Sequence, residues 1–343
     1  MIGIVGGGLA AAKVVEAYRE AGGTDEIVIW SQDPRGPYHR PGLSKRVLRG
    51  EAPPESVLID VEGAEVRKGE RLDALPEADV VVIATGARPR ALGDALQLRT
   101  LDDSIELHRR AESAKTATVV GGGFIGCEVA ASLTHLGVQV TQIVREATVF
   151  PALQAPPLSE AIHDVFRANG VDLRLETSEI PPADLLVAGV GVEPNVELAR
   201  DAGLEVRNGI VVNERFETSR PGVYAIGDVA EFFDPVFGRQ RRIEHWSNSA
   251  YHGTTLGKIL AGEDARYDTV SSFFSEQFGR SFKTFGDPLG HDATRLDGDF
   301  REDDAVFRFL RGGRTVSAVT MGLDEDAENA LKEEIRSGAA TGA

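Results

Sequence analysis

The chain has 343 residues, 42% of them hydrophobic, enough for a substantial core and two or three domains. Its 37 basic and 54 acidic residues give a formal net charge of −17, which argues against a nucleic-acid ligand because phosphates would be repelled. The single cysteine, Cys127, excludes an internal disulfide, a paired-cysteine redox motif, and a cysteine-ligated cluster or zinc site within the chain. The seven histidines contain no HxxxH ligand pair, so no metal site is expected. No apolar run approaches a membrane span and the first strand opens at residue 2, so the expectation is a soluble, cytoplasmic protein without a signal peptide.

Residues 2–5 read as an apolar strand, followed by Gly6-x-Gly8-x-x-Ala11, a helix to about Glu20, and a second strand over 26–30. This βαβ setting is the one a dinucleotide-binding glycine loop requires. Gly6 serves the tight turn, Gly8 lets a pyrophosphate approach the backbone, and Ala11 lets the helix pack on the strands. The helix start at Leu9 and Ala10 offers N–H groups to phosphate. Asp33, after the second strand, is the candidate for the adenosine ribose.

Residues 36–45 hold two prolines, then Ser44 and Lys45, which can start a helix. Arg40 and Lys45 either face phosphate and flavin or are solvated loop charges. A strand and turn are expected over 57–70. Residues 79–89 read as a buried strand ending in the small turn Thr85-Gly86-Ala87, then Arg88; such strand ends lie beside the ligand in doubly wound sheets. Residues 99–114, which include a polar helix, look like a hinge into a new domain.

A second βαβ unit follows over 118–144, with the complete fingerprint Gly121-x-Gly123-x-x-Gly126. Phe124 and Ile125 open its helix. Where an NAD site would place a carboxylate the chain has Val144, followed by Arg145 and Glu146; Arg145 suits a 2′-phosphate, which tilts the expectation to NADPH. A helix over 156–169 and a strand over 171–175 come next. The strand at 184–188 ends in Gly189, Val190 and Gly191, repeating the pattern of 79–89. The repeat therefore covers whole domains. Residues 222–226 form a strand before Gly227 and Asp228, whose carboxylate either accepts from a ribityl chain or caps a helix. Glu244, His245 and Trp246 lead into a helix to Leu260; Trp246 either covers a flavin ring or belongs to the core. From Tyr267 onward closely spaced phenylalanines and alternating strands at 305–311 and 315–319 indicate a small antiparallel α+β domain, closed by a charged helix at 324–337 and a small-residue tail.

Together these stretches resemble the two-dinucleotide flavoprotein reductases, the FAD-dependent pyridine nucleotide-disulfide oxidoreductases. Within them they are similar to the ferredoxin reductase group that serves Rieske oxygenase and cytochrome P450 systems. The resemblance rests on residues 37–45, 84–89, 121–128, 224–228 and 244–248, and on the aromatic segment 273–279, where Phe274 stands in place of a tryptophan. It implies an α/β fold with two Rossmann-like domains and a small α+β C-terminal domain. The FAD-binding domain would comprise 1–103 and 218–262, the NAD(P)H-binding domain 104–217, and the third domain 263–343.

The resemblance further implies FAD held by Gly6, Gly8, Leu9, Ala10, Asp33, Arg40, Thr85, Gly86, Arg88, Gly227, Asp228, Glu244, His245 and Trp246. NAD(P)H would lie on Gly121, Gly123, Phe124, Ile125, Gly126, Arg145, Gly189, Val190 and Gly191. Lys45 would lie near flavin N5, paired with Glu128, and the two are the implied catalytic residues. Relatives carry a β-meander before the strands at 80 and 185, and both are cut short here.

The expected reaction is hydride transfer from NAD(P)H to FAD, then single electrons to a ferredoxin-like iron–sulfur protein. An NAD(P)H oxidase or quinone and dye reductase, or a slow redox-sensing flavoprotein, are the alternatives. Arg239, Arg241, Arg242, Arg280 and Lys283 are candidates for a basic docking patch, or simply solvated charges.

Overall fold

The computed structural model describes residues 1–340; the last three residues of the small-residue tail lie outside the described residues. The chain forms two compact units, one of Met1–His39, Glu55–Arg88 and Glu193–Thr269, the other of Arg40–Pro54, Pro89–Val192 and Val270–Ala343.

In chain order, the first unit begins with β1 (Ile2–Val5), α1 (Leu9–Glu20), β2 (Ile27–Ser31), β3 (Glu65–Lys68), β4 (Val80–Ile83) and β5 (Ala87–Pro89). The second unit takes up α2 (Leu101–Ala111), β6 (Thr116–Val120), α3 (Phe124–His135), β7 (Gln139–Ile143), α4 (Pro156–Ala168), β8 (Asp172–Arg174) and β9 (Leu185–Ala188). After β10 (Val192–Pro194) the chain returns to the first unit with α5 (Glu197–Asp201), β11 (Ile210–Val212), β12 (Val223–Ala225), β13 (Ala230–Asp234), β14 (Arg239–Arg241) and α6 (Trp246–Leu260). The C-terminal part of the second unit is β15 (Ser272–Gln277), β16 (Arg280–Gly286), β17 (Ala293–Asp299), β18 (Asp304–Arg311), β19 (Arg314–Met321) and α7 (Glu325–Ala340). Residues 193–217, read from sequence as part of the second nucleotide domain, pack in the first unit.

Each unit contains one parallel sheet. The first has the order β12-β4-β1-β2-β3 and the second β8-β7-β6-β9. Two neighbouring strands of the second, β6 and β9, carry successive apolar residues, Val119-Val120 and Leu185-Leu186-Val187-Ala188, as strands covered on both faces require. The two sheets repeat each other in detail. Gly6 N–H donates to Trp30 C=O at 2.8 Å, and Gly121 N–H donates to Ile143 C=O at 2.8 Å. Ala84 N–H donates to Val5 C=O at 2.8 Å, and Gly189 N–H to Val120 C=O at 2.8 Å. The connections 69–79 and 175–184 contain no strand. The C-terminal sheet is antiparallel, in the order β15-β16-β19-β18-β17.

Residues 43–50 depart from the sequence reading. Instead of a helix beginning at Ser44 they form a run of turns after a 3₁₀ turn at Arg40–Gly42. Side chains of α2 and α3 satisfy their carbonyls: Ser104 Oγ donates to Leu43 C=O at 2.7 Å and Ser132 Oγ to Ser44 C=O at 2.6 Å. These bonds replace the ladder a helix would have supplied.

Helices α1 and α6 meet through two glycines. A Cβ on Gly253 would lie 2.3 Å from Ala10 C=O, and one on Gly257 would lie 2.6 Å from Val14 C=O. The close approach holds the first fingerprint helix against α6, which in turn bonds Asp228 through Ser249 and Gly227 through His252. Gly257→Ala gains about 1 kcal/mol of helix propensity, but must push two backbones apart at a cost of about 1–3 kcal/mol. The expected outcome is a lower midpoint in thermal unfolding of the apoprotein; an unchanged or raised midpoint would contradict the packing argument.

Candidate functional site

The two glycine loops are built alike. Gly6 has φ +115° and Gly121 has φ +120°, a region that L side chains rarely adopt. Any Cβ there would meet Ala84 C=O at 2.2 Å or Gly189 C=O at 2.3 Å. Gly126 is equally constrained, because its Cβ would lie 2.4 Å from Gly121 C=O. By contrast, Gly8 and Gly123 face open space, with nothing within 4 Å of the Cβ position. They stand at the N-caps of α1 and α3, and neither helix has a side-chain cap. Bare N–H groups, a positive dipole end and an open glycine backbone fit a pyrophosphate at each loop.

In the first unit, Asp33 accepts from Arg35 N–H at 2.8 Å and Tyr38 O–H at 2.5 Å, which fixes the carboxylate and leaves it further lone pairs for ribose hydroxyls. Leu9 and Ala10 are buried at the start of α1. The Thr85-Gly86 turn is clamped by Asn195, which donates Nδ2–H to Thr85 C=O at 2.8 Å and N–H to Gly86 C=O at 2.9 Å. Arg88 has its guanidinium ion-paired to Glu193 and Glu197, both at 2.7 Å. Asp228 Oδ1 accepts from Ser249 Oγ at 3.0 Å. Gly227 N–H donates to Nδ1 of His252, whose complete burial pushes its pKa down to about 3 and keeps it neutral. Glu244 pairs with Arg242, and His245 caps α6 by accepting Ser247 N–H. Trp246 Nε1–H donates to His39 Nδ1 at 3.2 Å; burial lowers the His39 pKa and favours the neutral ring that can accept.

In the second unit, Phe124 stacks on Phe150 at 5.3 Å and meets Phe273 edge-on at 5.1 Å. The turn at Gly189 abuts the start of α3, since a Cβ on Gly189 would lie 2.8 Å from Gly126 N. Ile125 and Val190 remain exposed there, an apolar seat beside the glycine loop, and Gly191 follows with φ +94°. Arg145 is 83% exposed and pairs with its neighbour Glu146 at 3.0 Å.

The second unit also brings Lys45 and Glu128 together. Lys45 Nζ lies 2.6 Å from Glu128 Oε2. Glu128 is 5% exposed on the inner face of α3. Ser44 Oγ donates to the same oxygen at 2.5 Å, and Ser275 Oγ donates to Oε1 at 2.6 Å. A carboxylate buried to this degree is tolerated only when paired and hydrogen-bonded, and here it is both. Arg40, in the turn before Lys45, belongs to the same unit. The two serines lie inside motifs visible in the sequence; the signal that could have singled them out is a glutamate within an otherwise apolar, small-residue helix.

The basic docking patch is largely neutralised. Arg241 pairs with the buried Asp234 at 2.6 Å, Arg242 with Glu244, Arg280 with Asp303 at 2.6 Å and Lys283 with Glu328.

Against known proteins, a model described as "Pyridine nucleotide-disulphide oxidoreductase" matches residues 2–180 and 176–253. The chain belongs to this family. It is 32% identical to putidaredoxin reductase of Pseudomonas putida, over 93% of this chain and 87% of that protein. It is 30% identical to the ferredoxin–NAD(+) reductase component of the p-cumate 2,3-dioxygenase system of Pseudomonas putida, over 94% of this chain and 90% of that protein. Among solved structures it is similar to the covalent putidaredoxin reductase–putidaredoxin complex, with TM-score 0.93 and 30% identity, covering 98% of this chain and 93% of that one. The fold is thus the two-Rossmann α/β architecture with a small C-terminal sheet. Among the described residues, no helix is long and apolar enough to cross a membrane.

The family's name refers to disulfide chemistry, which a lone cysteine cannot perform within this chain. Cys127 is fully buried in α3, its thiol pushed up to about 12 by desolvation, with Gln142 Nε2 at 3.4 Å. The native protein is expected to resist a thiolate-specific colorimetric reagent and to react at one thiol after unfolding in guanidinium chloride. Rapid labelling of the folded protein would contradict this environment.

Proposed function

We propose that the chain is an FAD-dependent, NADH-oxidising reductase that delivers electrons one at a time to a small iron–sulfur protein. The observation that carries this reading is the sealed, solitary Cys127: electrons entering at the flavin have no dithiol in the chain to receive them, so they leave to an external acceptor. The names of the two relatives support a ferredoxin-like acceptor and NAD(+).

When bound, FAD supplies the junction between hydride and single-electron chemistry. The chain's residues do the rest. In this reading Gly6, Gly8 and the start of α1 hold the FAD pyrophosphate and Asp33 its ribose, with Thr85, Gly86, Gly227, Asp228, Glu244, His245 and Trp246 contributing around the cofactor. Gly121, Gly123, Gly126 and the start of α3 hold the nicotinamide dinucleotide, with Ile125 and Val190 excluding water from its ring. Lys45 holds a positive charge at Nζ for the negative charge that flavin reduction brings, and Glu128 fixes that ammonium in place. By cofactor, the reading divides the chain into an FAD domain 1–103 with 218–262, a nicotinamide domain 104–217 and a third domain 263–343. This division differs from the two compact units, in which 193–217 pack with the first and 40–54 with the second.

For the coenzyme, the sequence expectation of NADPH loses its ground. The Glu146 carboxylate occupies the Arg145 guanidinium and would repel a 2′-phosphate. Flavin reduction is expected to show a lower apparent Kd for NADH than for NADPH in anaerobic stopped flow. A marked NADPH preference, lost in Arg145→Ala, would restore the opposite assignment.

Lys45→Ala and Glu128→Ala are each expected to retain FAD while slowing its reduction by about 10²-fold, the usual range for losing one electrostatic stabiliser. An unchanged rate in both variants would remove the pair from the mechanism. Turnover should accelerate on adding a [2Fe–2S] ferredoxin; equally fast turnover with oxygen alone would assign an oxidase instead.

A further inference from the structure

The Glu128 carboxylate is held from its second oxygen by the C-terminal sheet. Ser275, on β15, is fully buried and donates its hydroxyl proton to Glu128 Oε1 at 2.6 Å. Gln277, two residues on and 1% exposed, donates Nε2–H to Ser275 Oγ at 2.7 Å. A serine hydroxyl has one proton. With Gln277 supplying a donor to the oxygen, that proton has one direction to take, toward Glu128. The reverse amide orientation would offer Ser275 a competing acceptor and draw the proton away. The orientation present leaves Gln277 Oε1 buried without a hydrogen-bond partner among the described residues.

We infer that Ser275, locked by Gln277, is a positioning residue for hydride transfer: it fixes the rotamer of Glu128 and, through it, the place of the Lys45 ammonium. The inference rests on the proposed role of the Lys45–Glu128 pair. It gives the C-terminal domain a part in the flavin-reducing half-reaction, separate from any part in acceptor docking. Ser44 and Lys45 both bind Oε2, so without Ser275 the Oε1 side of the carboxylate has no hydrogen bond among the described residues to stop it turning about its last torsion.

The test is a double-mutant cycle on FAD-loaded protein, read as the limiting rate of flavin reduction by NADH, with thermal unfolding of the apoproteins as a second readout. Ser275→Ala is expected to slow reduction about tenfold in the parent chain but less than about twofold in the Glu128→Ala background, the mark of residues acting as one unit. The apoprotein midpoints should show the same coupling, since the lost hydrogen bond is to Glu128. Gln277→Leu, which keeps the hydroxyl but frees its rotation, is expected to give an intermediate rate. It also serves as the second variant if Ser275→Ala folds poorly. Equal slowing by Ser275→Ala in both backgrounds would overturn the inference, as would coupling in the unfolding midpoints with no change in the parent's rate. If Glu128→Ala itself reduces at the parent rate, the pair's role fails and the inference falls with it, an outcome distinct from the others.

Discussion

One buried carboxylate organises the second unit. Glu128 is 5% exposed on a helix whose other inward residues are small or apolar. In such a place a charge is stable only with a counter-ion and a full set of donors, and removing one partner of such a pair costs about 3–5 kcal/mol. The donors come from two distant stretches, Ser44 and Lys45 on one side and Ser275 on the other. The requirement ties the irregular segment 40–54, the fingerprint helix and the antiparallel sheet into one body. It also explains why that segment is ordered with little regular structure: Ser104, Ser132 and His108 hold its backbone carbonyls from α2 and α3.

A second constraint is the approach of backbone to backbone at glycine. At Gly6 and Gly121 the turn leaves no room for a Cβ because the neighbouring strand's carbonyl is already there. At Gly8 and Gly123 the room is empty, and the helix N-terminus behind it is uncapped. One kind of glycine closes the turn and the other opens it to a ligand. The third position of the motif differs between the halves. Ala11 fits in the first, fully buried, whereas Gly126 is needed in the second because its helix sits against Gly121 C=O.

Charge is handled mostly in local pairs. Four of the basic residues that sequence composition suggested for docking are matched to carboxylates, as is Arg145 beside the second fingerprint. Asp234 is fully buried against Arg241, whereas the exposed pairs, such as Arg145–Glu146, contribute little to stability, about 0–1 kcal/mol each. They do change what the surface offers, because a guanidinium already facing a carboxylate attracts a further anion weakly. The same pairing explains why Arg88, within a recognisable motif, is occupied by Glu193 and Glu197.

The sequence by itself determined the repeated strand–glycine–helix–strand units, the buried strands after them and the antiparallel character of the C-terminal region. Those features depend on periodicity, glycine spacing and local turn chemistry, all carried by residues a few positions apart. Tertiary structure alone decided three other matters. It decided that 193–217 packs with the first unit, that α6 reaches α1 through Gly253 and Gly257, and that Ser275 bonds a carboxylate 147 positions away. It also decided which charges are already spent where the partner comes from far along the chain, as Glu193 does for Arg88. The physical reason is common to all of these: local sequence sets backbone geometry, whereas the partner of a buried or paired group is chosen by whatever the fold brings within about 3 Å of it.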